Sequence, residues 1–345
     1  MSARLIKRST ALTITVGALL VFACVGTAAG YLWTRGLGTI DQSPPPGLPQ
    51  SWPSQNGQLP HPVPKPTGEM VTALPEPTAS NALCEALPQE QWDTVLGTKS
   101  LREIEWSGGC HVLTDRLDIR VQLSLPSPPP EGAQQVPVGQ RQGQLQRLPD
   151  RLGATVAVRL ADGPHSETSG VRPQLSVNIN QRATINRADL PMDRQAVALA
   201  DELIKATTAP GPALPAATAE GTISSQPREE IPGSGVLGQP WPIVSWRLCA
   251  AMAKEAHTSP QAAKAKFEGT CVVNGVHAVY RLDVTPRTFP GKLAGLPASV
   301  EGDTIAVRLS EKTTDTVTFT NPGKAMTTAA FQSFVERVVP ALTQS

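Results

Sequence analysis

Four of the five cysteines form two similarly spaced couples, Cys84/Cys110 and Cys249/Cys271, whereas Cys24 stands apart in an apolar run. Neither couple has the C-x-x-C spacing of a thiol–disulfide exchange site, so structural disulfides are the favoured chemistry. Four cysteines allow three pairings, and the repeat described below favours pairing within each couple. Such bonds persist in an oxidising compartment, which indicates export.

Residue types that commonly carry catalysis form no recognisable set in this chain. No two of the five histidines have metal-ligand spacing; they are His61, His111, His165, His257 and His277. No G-x-S-x-G elbow is present, and neither is S-x-x-K followed by K-T-G. The sequence therefore predicts no catalytic residue, no metal site and no cofactor, and it favours a protein that is not an enzyme.

A literal G-x-G-x-x-G runs from Gly233 to Gly238. A dinucleotide site needs a strand before this motif and a helix after it. Here Pro232 precedes the motif and Gln239-Pro240 follows it, which is typical of a linker. We interpret the glycines as flexible chain rather than as a nucleotide site.

Two arginines and two threonines recur at matching places in the chain. Arg159 and Thr155 belong to one predicted strand, and Arg308 and Thr304 belong to another. In each strand the arginine and threonine alternate with apolar residues, so they share the polar face. Such a strip is a candidate site for an anionic ligand or for a partner's carboxylates. The alternative is a solvated face with an intrachain salt bridge.

These strands belong to an apparent internal duplication. Both halves contain G-x-L-x-x-L-P, at 143–149 and 291–297, followed shortly by G-x-T-[VI]-A-V-R-L, at 153–160 and 302–309. Agreement of that length, with one residue of difference in spacing, is unexpected by chance. We therefore expect two copies of one domain.

The elements around these motifs follow the same order in both halves. Each half begins with a helical stretch that contains its first cysteine, and period-two strands follow at 117–125 and 276–284. Each half ends in an amphipathic helix, with apolar residues of one face at Met192, Ala196 and Leu199 in the first half. Helices that bracket a run of strands predict an α+β fold with an antiparallel sheet.

The N-terminal region has the pattern of a membrane anchor. Residues 11–33 carry no charge and are long enough to cross a bilayer of roughly 30 Å. Arg4, Lys7 and Arg8 precede them, so the N-terminus is expected in the cytoplasm and the rest of the chain outside the cell. Two alternatives stay open, which are cleavage near Thr27–Ala29 and lipid attachment at Cys24.

Composition divides the rest of the chain. Prolines concentrate at 34–80 and 209–242, which predicts an extended, disordered stalk and a Pro/Gly-rich linker. The predicted organisation is then a basic N-terminus at 1–10, a transmembrane helix at 11–33, the stalk at 34–80, a first α+β domain at 81–208, the linker at 209–242 and a second α+β domain at 243–345.

This layout resembles exported, membrane-anchored actinobacterial proteins of unknown function that have Cys-paired α+β domains. The first cysteine of such domains sits in an opening helix, as Cys84 and Cys249 are predicted to do. An aromatic residue often stands two positions after the second cysteine, and here Val112 and Val273 stand there instead. The resemblance implies no catalytic residue.

Three functions are compatible with these features. The first is a non-catalytic extracellular domain that binds an envelope component or a protein, for which tandem copies would add avidity. The second is an envelope hydrolase with a dispersed site. The third is an accessory subunit of a membrane complex that pairs through Gly26-Thr-Ala-Ala-Gly30 in the membrane helix. The net charge of +1 gives no reason to expect nucleic acid as a partner.

Overall fold

The computed structural model describes residues 52–53, 68–105, 109–148, 152–162, 170–182, 190–208, 210–228, 235–282, 288–310 and 315–343. They belong to one compact unit, Gln50–Ser345. The predicted membrane helix at 11–33, with Cys24 and the G-x-x-x-G motif, lies outside these residues, as does most of the predicted stalk. Among the described helices, none combines the length and the apolar character needed to cross a bilayer.

The described residues of the first half of this unit form three α-helices and eight strands. A 3-10 turn, Gly68–Ala73, leads into α1 (Glu76–Cys84) and α2 (Gln89–Leu96), and α3 (Met192–Thr207) closes the half. The strands are β1 (Trp52–Pro53), β2 (Leu101–Ile104), β3 (Gly109–Leu113), β4 (Leu117–Ser124), β5 (Gln134–Val138), β6 (Arg141–Arg147), β7 (Gly153–Arg159) and β8 (Gln174–Gln181).

The described residues of the second half form two α-helices and eight strands. Its helices are α4 (Trp241–Glu255) and α5 (Thr328–Thr343), and a 3-10 turn covers Pro260–Ala262. The strands are β9 (Thr222–Ile223), β10 (Lys264–Lys266), β11 (Thr270–Val273), β12 (Val276–Leu282), β13 (Gly291–Leu293), β14 (Leu296–Glu301), β15 (Thr304–Arg308) and β16 (Asp315–Thr320).

The two halves build sheets with the same strand order. Sheet 1 has the order β1-β2-β3-β4-β8-β7-β6-β5, and sheet 2 has the order β9-β10-β11-β12-β16-β15-β14-β13. Each strand of sheet 2 therefore takes the same place as the strand of sheet 1 whose number is lower by eight. Neighbouring strands are antiparallel except β1 and β2, which pair in parallel. The predicted α+β fold with antiparallel sheets is therefore confirmed.

The pairing register matches the two sheets residue by residue. From Thr155, paired residues across the sheet lead through Asn178 and Arg120 to His111, beside Cys110. From Thr304 the equivalent series of paired residues leads through Thr320 and His277 to Val272, beside Cys271. The G-x-T-[VI]-A-V-R-L match and the second cysteines are thus equivalent in space as well as in sequence.

The other sequence match, G-x-L-x-x-L-P, is not equivalent in space. Gly143 begins its copy on β6 and pairs with Val158. Gly291 begins its copy on β13, one strand further out, and pairs with Ala298. Since Ala298 pairs with Val307, it is Ala298 that corresponds to Gly143. The two copies of the G-x-T-[VI]-A-V-R-L motif therefore occupy equivalent strands. The two copies of the G-x-L-x-x-L-P motif lie one strand apart.

Each sheet buries one face against its own helices. In sheet 1, Ile119, Val121 and Val177 lie in one core cluster with Leu199 of α3. In sheet 2, Ala278, Val307 and Phe319 lie in a second cluster with α4 and α5, whose residues include Met252 and Phe334. None of the described helices packs on the opposite face, and we call it the open face of each sheet.

Segments that composition assigned to the stalk and linker contribute to the folded unit. Met70 and Val71 of the first 3-10 turn are buried, and α1 begins at Glu76. The linker supplies β9, which pairs with β10 at the same edge position that β1 takes in sheet 1. These short strands cover one edge of each sheet, where unpaired backbone groups would otherwise favour association.

The first half also contributes residues to the core of the second. Met70, Ala73 and Val171 are buried in the cluster that contains α4 and α5. The carboxylate of Glu69 accepts a hydrogen bond of 3.0 Å from the backbone N–H of Leu214. The two halves are therefore joined by packing as well as by the chain between them.

Candidate functional site

The two predicted disulfides are present and hold the opening helices to the sheets. Cys84, the last residue of α1, bonds to Cys110 on β3, and their Cα atoms are 5.1 Å apart. Cys249 of α4 bonds to Cys271 on β11, with a Cα separation of 5.3 Å. All four cysteines are fully buried, so their role is structural rather than catalytic.

On the open face of sheet 1, acidic and basic side chains of β2, β3 and β4 lie close to one another. His111 lies between two carboxylates, with Nε2 3.0 Å from Asp118 and Nδ1 3.7 Å from Glu103. Glu103 first, and Asp118 after it, raise the pKa of His111 against the opposing effect of burial. Arg120 on β4 is 3.7 Å from Glu105. These groups neutralise one another within the face.

Amide and hydroxyl side chains occupy the centre of the same face. Asn180 donates to Asn178, which donates at 2.7 Å to the hydroxyl of Thr155. Beside them lies a shallow depression of about 600 Å³, lined by Asp118, Arg120, Gln122, Ser176, Asn178, Asn180, Gln181 and Arg182. The lining is entirely polar, and no nucleophile–base pair of the kind that catalysis needs is among these residues.

The open face of sheet 2 has a different character, because cations dominate it. Its strands carry five basic residues with long side chains, Lys264, Lys266, Arg281, Lys292 and Arg308. Glu301 is the single acidic residue among the described strand positions of this face. On the corresponding positions of sheet 1, two acids, Glu103 and Asp118, balance two arginines, Arg120 and Arg159.

Two arginines of sheet 2 form part of one row across three strands. Arg281 on β12 and Arg308 on β15 both pair with Thr316 on β16. Since neighbouring strands are about 4.8 Å apart, the two backbones lie roughly 10 Å from each other. The equivalent row of sheet 1 is Ser124, Gln174 and Arg159, which has one cation instead of two.

The four residues predicted from sequence to bind a ligand lie on the open faces. Arg159 is exposed and pairs with Asp162, its Nε 3.2 Å from the carboxylate. Thr155 accepts the hydrogen bond from Asn178. Arg308 and Thr304 lie on β15, at opposite ends of that strand. Each predicted pair thus shares a face without making one compact site.

Sequence reasoning passed over the residues that distinguish the two faces. The register makes Lys264 and Lys266 of β10 equivalent to Glu103 and Glu105, because Ala265 pairs with Cys271 as Ile104 pairs with Cys110. The charge at both positions is reversed between the halves. Arg281 was also missed, although the period-two pattern of β12 already put it on the polar face.

Asp315 has the strongly perturbed carboxyl group of the second half. Burial raises its pKa to about 7, and it accepts a hydrogen bond from the hydroxyl of Tyr280, which is also buried. Because both side chains are buried, the pair fits a structural role in the core. Across the described residues no cluster of three or more histidine, cysteine or acidic side chains is arranged to hold a metal ion.

The chain matches no family model, no curated protein and no solved structure.

Proposed function

We propose that this chain is a membrane-tethered binding protein that acts outside the cytoplasm and has no catalytic activity of its own. In this proposal residues 11–33 anchor it, the Pro-rich segment holds it away from the bilayer, and two copies of one sheet domain form the binding part. Two disulfides are compatible with an oxidising compartment. The common strand order and register of the two sheets support descent from one duplicated domain.

The observation that carries the proposal is the one-sided covering of both sheets. Each sheet buries an apolar face under helices and leaves a broad polar face open. Side chains on a rigid sheet are held in place by the strands, so a ligand binds them with little ordering cost. Two such faces in one chain provide two contact surfaces for an extended partner.

Membrane topology and binding can be tested together on the full chain. A C-terminal epitope should be reached by protease in intact cells, and the purified chain in detergent should capture material from envelope extracts but not from cytosol. The captured material should keep its size after prolonged incubation. A cytoplasmic epitope, free thiols at the four paired cysteines, or breakdown of the captured material would each overturn the proposal.

A further inference from the structure

The open face of sheet 2 shows a concentration of positive charge that its own fold does not neutralise. Lys264, Lys266, Arg281 and Lys292 are exposed, and none of them makes an ion pair with a described acidic residue. The chain as a whole has a net charge of only +1. This face therefore carries an excess of positive charge that the nearly neutral chain as a whole does not have.

From this charge distribution we infer that the open face of sheet 2 binds a polyanionic polymer chain of the cell envelope. This inference rests on the proposed function and names its ligand class. Complementary charge favours an anionic partner, because the described strand positions of this face hold four exposed basic residues that make no ion pair with a described acid, against one acidic residue, Glu301. Arg281 adds a planar guanidinium group, which can donate two parallel hydrogen bonds to a phosphate or carboxylate group.

The extent of the charged surface favours a chain over a small ion. Its cations run from Lys264 and Lys266 on β10 to Lys292 on β13, six strand spacings apart. At about 4.8 Å per spacing this span is roughly 29 Å, far more than one phosphate can cover. A polymer with repeated negative charges can contact all of it at once.

The composition of the face favours a polymer over a lipid surface. Proteins that lie on bilayers usually insert aromatic or large apolar side chains beside their basic residues. Between the cations, the threonines at residues 270, 304, 318 and 320 are partly exposed, and no Phe, Tyr or Trp stands at the described strand positions of this face. Hydroxyl groups suit hydrogen bonds to a hydrated polymer rather than insertion between acyl chains.

The first half of the chain supplies the residues for a well-controlled variant. Lys264→Glu with Lys266→Glu gives sheet 2 the acids that sheet 1 carries at Glu103 and Glu105. Because the same strand positions accept glutamate in sheet 1, this pair should fold normally. The matched control is Lys254→Glu with Arg194→Glu, on helices α4 and α3, which changes the net charge by the same amount away from the open face.

The test measures binding of inorganic polyphosphate to the full chain in nanodiscs of neutral lipid, at several salt concentrations. We expect binding that weakens as salt rises, a loss of affinity of about tenfold or more in the Lys264→Glu/Lys266→Glu variant, and less than about threefold in the control. Equal losses in both variants, no loss in the first, or binding to anionic phospholipid vesicles but not to polyphosphate would each overturn the inference.

The same variants separate this inference from the proposed function. If Lys264→Glu/Lys266→Glu still captures envelope material as well as the unmodified chain does, the protein is a binding protein but sheet 2 does not hold the ligand. If the unmodified chain captures nothing, the proposed function fails as well.

Discussion

The hydroxyl groups of Ser80 and Ser245 make the same pair of contacts in the two halves. Ser80 shares its proton between the carbonyl oxygens of Glu76, one turn earlier, and of Glu105, just after β2. Ser245 does the same with Trp241 and with Lys266 at the end of β10. Each serine thus ties its opening helix to the edge of its sheet, four residues before the disulfide cysteine.

Replacing either serine should weaken the fold by a similar amount. In Ser245→Ala the partly buried carbonyl of Lys266 loses this donor, and a typical intramolecular hydrogen bond contributes about 0.5–1.5 kcal/mol. We expect the free energy of unfolding, measured with urea, to fall by that amount in Ser80→Ala and in Ser245→Ala. Ser259→Ala is the control, because Ser259 is exposed and makes no capping bond. A loss in the control as large as in Ser245→Ala would contradict the assigned role.

The two disulfides should contribute almost equally to stability. Their sequence separations are 26 and 22 residues, and the chain-entropy relation gives about 3.5 kcal/mol for loops of this size. We expect Cys84→Ala/Cys110→Ala and Cys249→Ala/Cys271→Ala each to lower the free energy of unfolding by roughly that amount. Cys24→Ala, which leaves both bonds in place, should unfold like the parent chain. A similar loss in Cys24→Ala would show that other cysteine effects dominate.

Asp315 should make the stability of the protein depend on pH. The folded chain keeps its proton up to a pKa of about 7, whereas an unfolded aspartate releases it near about 4. Between these values the folded state binds more protons, so the stabilisation is complete below the lower pKa and is lost as the pH rises towards 7. Asp315→Asn removes this titration.

The comparison that checks this uses urea unfolding of the parent chain and Asp315→Asn from pH 4 to pH 8. Relative to the parent, the variant should become steadily more stable with rising pH. Comparing the two at each pH removes the contribution of His111, whose raised pKa acts in the same direction. Parallel pH profiles would show that Asp315 does not titrate in this range.

The pattern of the sequence was sufficient for the coarse fold and for the covalent bonds. Period-two alternation located β4 and β12, and the paired cysteines followed from the two matched halves. The G-x-L-x-x-L-P match is misleading because its second copy spans the hairpin of β13 and β14, whereas its first copy begins within the single strand β6. Only backbone pairing distinguishes neighbouring strands of like composition.

The sequence carries a further repeat signal, longer in fixed spacing than either glycine motif. P-x-P-x-x-S-x-x-L-C occurs from Pro75 to Cys84 and again from Pro240 to Cys249, with identical spacing. It spans the start of each opening helix, the bridging serine and the first cysteine. The predicted stalk and linker contain the prolines of this motif, whereas its cysteines fall in the predicted domains. The predicted domain boundaries therefore divide both copies of the motif. The charge reversal at Glu103 and Lys264 could not be read in this way, since it requires the register of the strands.

The joint between the halves depends on close approach to a glycine. Gly170, in the first half, has a positive φ of 65°, and a Cβ built there would lie 2.6 Å from Nε1 of Trp241 in α4. Trp241 in turn contacts Tyr280 edge-on, with ring centroids 5.7 Å apart. An added methyl group at residue 170 must therefore displace the indole or open the joint.

Comparing Gly170→Ala with the control Gly132→Ala isolates the effect of crowding Trp241. Both glycines have positive φ, so both alanines suffer a similar backbone strain of about 1–2 kcal/mol, but a Cβ at residue 132 meets nothing within 4 Å. We expect Gly170→Ala to lose at least about 1 kcal/mol more than Gly132→Ala in urea unfolding, since overpacking adds to the strain. Its tryptophan emission should also shift as Trp241 moves. Equal losses with unchanged emission would mean that Gly170 does not support the indole, and that the halves are held together elsewhere.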